Sequence, residues 1–204
     1  HSDKFIGQYL SEGKDAEAME LFDESLRAAC AAGAEKMVLH MWGGVVSDSC
    51  FAHNLTYLPR MVDRCGEAGV TLCVENVPCS CGDPIAHWRD CEALCPDVRF
   101  IYDTRFGYFA GTLERDVGLF SDEVFGKKTV HMHISDFTGV QHDFHCLRPI
   151  PMPGEGSIDF NSFFSAIKPI YSGTVTLESP SLDEHGHVDP ERLSEAIEYI
   201  RQRL

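Results

Sequence analysis

Five strand-length apolar runs in this chain each lead to a side chain that can hold a metal ion or move a proton. Lys36-Met-Val-Leu leads to His40, Val70-Thr-Leu-Cys-Val to Glu75, Val98-Arg-Phe-Ile-Tyr to Asp103, Val130-His-Met to His133, and Thr174-Val-Thr-Leu to Glu178. Each is followed by a loop and then a helical pattern. In parallel α/β architectures, ligands and catalysis sit beyond the carboxyl ends of the strands. Groups at that one position on successive strands therefore converge in space, although far apart in sequence. Three carboxylates gathered at one mouth would repel, and a divalent cation removes the repulsion. A carboxylate-rich set with one imidazole suits Mn²⁺, Mg²⁺, Co²⁺ or Zn²⁺. One catalytic cation with open positions is expected, and no organic cofactor; structural zinc would call for sulfur-rich ligation.

Side chains alternate along a strand, so His131 and His133 point to the same side, as do Thr174, Thr176 and Glu178. If that side is a barrel interior, His133 lies at the mouth and His131 one layer deeper, as a second metal or substrate contact.

The elements that must position these groups alternate regularly. Asp15 is placed to cap a helix through Glu20, Phe22, Leu26 and Cys30, which Gly33 stops. A second helical stretch spans about 55–68 and closes at Gly69. Pro84 opens a third, through Trp88 to Cys95. A helix is expected near 109–120, then a long loop over 135–157. Asp159 or Asn161 caps the next helix, through Phe163, Phe164, Ile167 and Ile170, and Asp189-Pro190 opens the last. Strict alternation without a glycine-rich dinucleotide fingerprint favours an α/β fold of the (β/α)8 TIM-barrel type over a doubly wound sheet. A complete barrel has eight strands and typically about 250 residues. This chain of 204 residues supplies five strands, so the expectation is a single partial barrel domain over 1–204 that lacks its first three βα units.

Composition is that of a globular enzyme: 44% hydrophobic and 24% charged. The formal charge of −15 opposes a nucleic-acid partner, because phosphate binding runs on Lys and Arg. No apolar stretch is long enough to span a membrane, and no leader opens the chain. The nine cysteines are read as reduced thiols in a cytoplasmic protein. Among them Cys79, Cys81, Cys91 and Cys95 could be weighed as a zinc set, but their spacing does not match the paired motifs. An incomplete barrel would expose a strand edge, which promotes homo-oligomers.

At these residues a family resemblance becomes plain. Val-Leu-His40, Val-Glu75-Asn76, Tyr-Asp103-Thr104, His131-Met-His133-Ile-Ser-Asp136, Pro153-Gly-Glu-Gly-Ser-Ile-Asp159-Phe and Leu-Glu178-Ser follow one another over nearly the whole chain. The chain resembles the xylose isomerase-like barrel superfamily, which includes sugar (phosphate) isomerases and epimerases, inosose dehydratases and apurinic-site endonucleases. The resemblance implies that Glu75, Asp103, His133 and Glu178 ligate the metal. It also implies that the two glutamates transfer protons, one on each side of the substrate. Proton loss beside a carbonyl leaves an enediolate whose negative charge needs an electrophile, and a divalent ion is one.

The departures narrow the choice. The multi-zinc endonucleases carry a histidine where this chain has Phe106, although Asp143-Phe-His145 is similar to their Asp-x-His pair. His1, His40 and Glu75 could form a second metal site. Arg148 stands in the loop where epimerases place a substrate-gripping arginine, but in uncertain register. Arg105 and His142 read more readily as solvated loop residues than as substrate contacts. Trp42 is placed either to stack on a sugar or to fill a loop cluster. The expected activity is metal-dependent isomerisation or epimerisation of a sugar or sugar phosphate. The alternatives are an inosose-type polyol dehydratase and an abasic-site phosphodiesterase.

Overall fold

In a computed structural model, residues 1–43, 47–183 and 185–204 are described. Backbone contacts divide the chain into two compact units, His1–Ile101 and Tyr102–Leu204.

The first unit contains helices α1 (Ile6–Ser11) and α2 (Asp15–Ala31), strand β1 (Lys36–Leu39), helices α3 (Phe51–Leu55) and α4 (Leu58–Glu67), strand β2 (Thr71–Glu75) and helix α5 (Pro84–Leu94). Strand β3 (Arg99–Asp103) begins here and ends on the first residues of the second unit. β1 pairs in parallel with β2, and β2 with β3. Parallel neighbours need a crossover, which α3 with α4, and then α5, supply. Both faces of such strands are covered: Met37, Leu72, Val74 and Phe100 are buried on one face and Val38, Cys73 and Ile101 on the other. Trp88 of α5 stacks on Phe100 with ring centroids 4.5 Å apart.

Local chemistry sets most boundaries. Gly33 and Gly69 take positive φ after α2 and α4, where a β-carbon would be strained. Asp83 accepts the N–H groups of Ile85 and Ala86 and starts α5 at Pro84, as expected. The cap expected from Asp15 is corrected. Asp15 lies inside the first turn of α2, and its carboxylate takes the Tyr57 hydroxyl at 2.6 Å and His53 at 2.9 Å. A partner from a distant segment outcompeted the local one.

The second unit contains α6 (Thr104–Phe109), α7 (Leu113–Asp116), α8 (Phe125–Lys128), β4 (Thr129–Ile134), α9 (Phe160–Ile167), β5 (Thr174–Leu177) and α10 (Pro190–Arg201). β4 and β5 pair in parallel, His133 opposite Thr176. The single helix expected near 109–120 is instead α6, α7 and a 3-10 turn over Val117–Ser121. Asp103 caps α6 early, and Gly111 at φ +67° turns the chain between α6 and α7. Asp159 and Asp189 cap α9 and α10 as expected. α9 stops at Ile167, and Ile170 follows in an exposed turn.

Two buried polar clusters hold this unit's aromatic core. Tyr102 donates its hydroxyl to Asp116 at 3.1 Å, and Asp116 also accepts Thr112 Oγ1 at 2.6 Å and Arg115 Nε at 2.9 Å. Burial pushes the Asp116 carboxyl above the usual carboxylate range despite these bonds. Gly107 is required beside it, since a β-carbon there would lie 2.0 Å from the Tyr102 hydroxyl. The second cluster surrounds Asp136, which is fully buried just after β4. Its carboxylate accepts the backbone N–H groups of Phe137, Gly154, Gly156 and Ile158 at 2.8–3.0 Å. The Pro-Gly-Glu-Gly-Ser-Ile motif thus wraps a carboxylate, and a β-carbon on Gly156 would fall 2.4 Å from its oxygen.

Candidate functional site

In the first unit the expected groups come together at the carboxyl ends of β1 and β2. Leu39 registers with Val74, so the next residues, His40 and Glu75, lie side by side. Glu75 is wholly buried, and its Oε2 is 2.6 Å from His40 Nε2, a hydrogen bond that the imidazole donates to the carboxylate. The His1 ring meets His40 edge-on, with centroids 5.5 Å apart.

The backbone that carries His40 is held from beneath. Gly7 of α1 packs so closely that a β-carbon would lie 2.5 Å from the His40 carbonyl oxygen. The buried Asn54 donates its amide to the carbonyls of Gly7 and Met41, each at 2.9 Å. Neither residue carries a motif, so sequence reasoning missed both. Their role depends on three segments meeting.

In the second unit Asp103 ends β3, is fully buried, and accepts the Phe106 N–H at 3.0 Å through Oδ1. Its Oδ2 lies 3.9 Å from Arg105 Nη2. His133 on β4 is 3% exposed, and its Nδ1 is 3.5 Å from Glu178 Oε1. The Glu178 N–H bonds to the Ile134 carbonyl at 3.0 Å, which extends the β4–β5 pairing to the residue that matters. Thr104 donates its hydroxyl to the Ser135 carbonyl at 2.8 Å and ties the exit of β3 to that of β4. His131 stands lower on β4, bonded through Nδ1 to Thr174 Oγ1 at 2.6 Å, with its ring 5.1 Å from that of His133.

Each unit therefore contributes a glutamate against an imidazole at strand carboxyl ends: Glu75 with His40, and Glu178 with His133. Carboxylate and imidazole are the donor types that hold hard and borderline divalent cations. Burial of this many acidic groups is favourable only beside compensating positive charge.

Other expected residues are placed elsewhere. Trp42 is fully buried, donates its indole N–H to the Val77 carbonyl at 3.0 Å and packs edge-on against Phe51. Of the two placements expected for it, the structure shows packing in a loop cluster. Arg105, read as a solvated loop residue, is buried. It stacks over Phe106 and bonds Ser135 Oγ at 3.3 Å and the Leu147 carbonyl at 3.1 Å. These two hydrogen bonds and the Asp103 carboxylate 3.9 Å away offset the desolvation. Asp143 accepts the His145 N–H at 2.9 Å and heads a 3-10 turn, Phe144–Leu147. Neither it nor His145 joins a cluster of three donor side chains among the described residues. Arg148 is exposed, beside Pro149 and Ile150. Cys79, Cys81, Cys91 and Cys95 form no common cluster among the described residues, and all are free thiols, so the four-cysteine zinc set is not formed.

No described helix is long and apolar enough to cross a membrane. A comparison with curated proteins finds no match. Solved structures of similar fold include an IolI protein with a bound zinc atom. That structure is 20% identical with a TM-score of 0.63, and the alignment covers 94% of this chain and 69% of that one. A D-allulose 3-epimerase from Methylomonas sp. is 22% identical with a TM-score of 0.59, covering 91% and 68%. A xylose isomerase domain protein from Alicyclobacillus acidocaldarius subsp. acidocaldarius is 19% identical with a TM-score of 0.68, covering 91% and 70%. This chain thus spans about two thirds of the length of these structures, and at such identities they speak for the fold. A family model described as xylose isomerase-like TIM barrel matches residues 8–203, and the chain belongs to that family.

Proposed function

We propose that this protein is a divalent-metal-dependent isomerase or epimerase of a sugar or related polyol. In this reading Glu75, Asp103, His133 and Glu178 hold one cation, and Glu75 and Glu178 exchange protons with the substrate. The observation that carries it is the repeated strand-end pair, a glutamate 2.6 Å from His40 and another 3.5 Å from His133. A cation bound there would supply an electrophile for negative charge on a substrate oxygen.

The chain's own groups do the proton work. One glutamate takes the proton from the carbon beside a carbonyl. The other returns a proton to the opposite face or to the neighbouring carbon. His40 orients the Glu75 carboxylate, and the buried setting keeps bulk water from competing for the abstracted proton. Glu75 is buried and Glu178 partly open, so the two carboxylates would present unlike surroundings to a substrate.

The test is elemental analysis of the purified protein, followed by a ketose panel with Mn²⁺ in D₂O. Allulose heads the panel because one structural neighbour is an epimerase named for it. The expected result is bound divalent metal and solvent deuterium at the carbon next to the carbonyl. Glu75→Gln and Glu178→Gln should both abolish exchange while remaining folded. Retained exchange in both variants would remove the assignment, and a product lighter by one water would move it to a dehydratase.

A further inference from the structure

The first unit contains another set of mixed donor atoms, none of them among the residues assigned to catalysis. Asp48 lies in the 3-10 turn Ser47–Cys50, Cys79 in the loop after β2, and His87 on α5. One ligand atom from each lies within 4.8 Å of the other two. The His87 ring is clamped, stacked on Phe51 at 3.9 Å and edge-on to Trp42 at 4.9 Å. Its Nε2 is buried and makes no hydrogen bond. Asp48 is 5% exposed and fixed by the Ser80 hydroxyl at 2.7 Å and the N–H groups of Cys81 and Gly82 at 2.6 and 3.0 Å. Gly82 keeps the approach open, because a β-carbon there would lie 3.0 Å from His87 Nε2.

We propose that Asp48, Cys79 and His87 bind a zinc-type divalent cation. Thiolate, imidazole and carboxylate together match Zn²⁺ or Co²⁺ and suit Mg²⁺ or Ca²⁺ poorly. Desolvation lowers the basicity of His87, which keeps the ring neutral and a lone pair available. A buried imidazole nitrogen without a partner is costly, and a cation satisfies it. Burial raises the Cys79 thiol pKa, and coordination reverses that by exchanging the S–H proton, released to solvent, for a sulfur–metal bond. One thiolate and one carboxylate neutralise the ion. Water or the neighbouring Cys81 thiol completes four-coordination. The ion would cross-link three segments of the first unit and fasten the loop that leaves Glu75, a structural clamp independent of the catalytic reading.

The test titrates the metal-free full-length chain with Co²⁺ and follows the sulfur-to-cobalt charge-transfer absorption. The band should saturate at one equivalent. It should disappear in Cys79→Ser, need more than about tenfold higher Co²⁺ in His87→Gln, and persist in Cys81→Ser and Glu75→Gln. A variant-free arm maps cysteine alkylation by mass spectrometry, where Zn²⁺ should protect Cys79. Absence of the band, its persistence in Cys79→Ser, its loss in Cys81→Ser, or unprotected Cys79 would each overturn the proposal. Loss of activity in Glu75→Gln with the band intact separates this site from the catalytic one.

Discussion

Asp136 and Glu75 are both fully buried acids at the exits of parallel strands, yet their surroundings differ in kind. Asp136 is surrounded by four backbone N–H groups, that of Phe137 and three from the 152–158 loop. Glu75 meets a side chain, the His40 imidazole, at 2.6 Å. A carboxylate sated by backbone is committed to structure, whereas one facing a titratable side chain remains available for ligands and protons. Sequence pattern alone treats the two alike.

The sharpest break in this comparison is functional. Glu75→Gln and Glu178→Gln should lower turnover by at least about 10³-fold with melting behaviour nearly unchanged, measured by deuterium exchange and circular dichroism. Asp136→Ala should do the reverse. Four backbone donors lose their acceptor, and stability should fall by about 3 kcal/mol or more in urea titration. An Asp136→Ala protein that is stable but dead would exchange the two roles. Gly156→Ala forces the same loop apart and should destabilise by about 1–3 kcal/mol. Thr174→Val, which removes the partner of His131, should cost about 1 kcal/mol; a larger loss of turnover than of stability would bring His131 into the chemistry.

The smallest effect concerns Asp15. The Tyr57 hydroxyl, then His53, hold its carboxyl below the usual range. Its folded pKa is depressed, so its contribution is full above the unfolded value near ~3.9 and is lost as pH falls through the folded one. Asp15→Asn should lower stability modestly at neutral pH, where the contribution is full, and converge with the unsubstituted protein as pH falls below about 4. An effect as large in acid as at pH 7 would contradict the assignment.

Much of this was legible in one dimension. The strand ends were readable because a parallel βα repeat puts its strand-end residue at the same place in each unit. The caps at Asp159 and Asp189 were readable because donor and acceptor lie within three residues. Asp15 failed the same test because Tyr57, 42 residues away, bound it more firmly than its own helix did. Arg105 was misjudged, and Trp42 left open between two placements, for a related reason. Their burial depends on loops that follow other strands, and residue type says little about which loop will cover it.

The order of strand, loop and helix, and the acid or imidazole at each strand end, were thus determined by the chain itself, since periodicity and capping act over a few residues. Tertiary structure alone decided which acids were saturated by backbone, which arginine was buried, and that donor atoms of Asp48, Cys79 and His87 lie within 4.8 Å of one another. Those outcomes depend on donors brought together from distant segments, and desolvation gives such contacts a weight that no local pattern records.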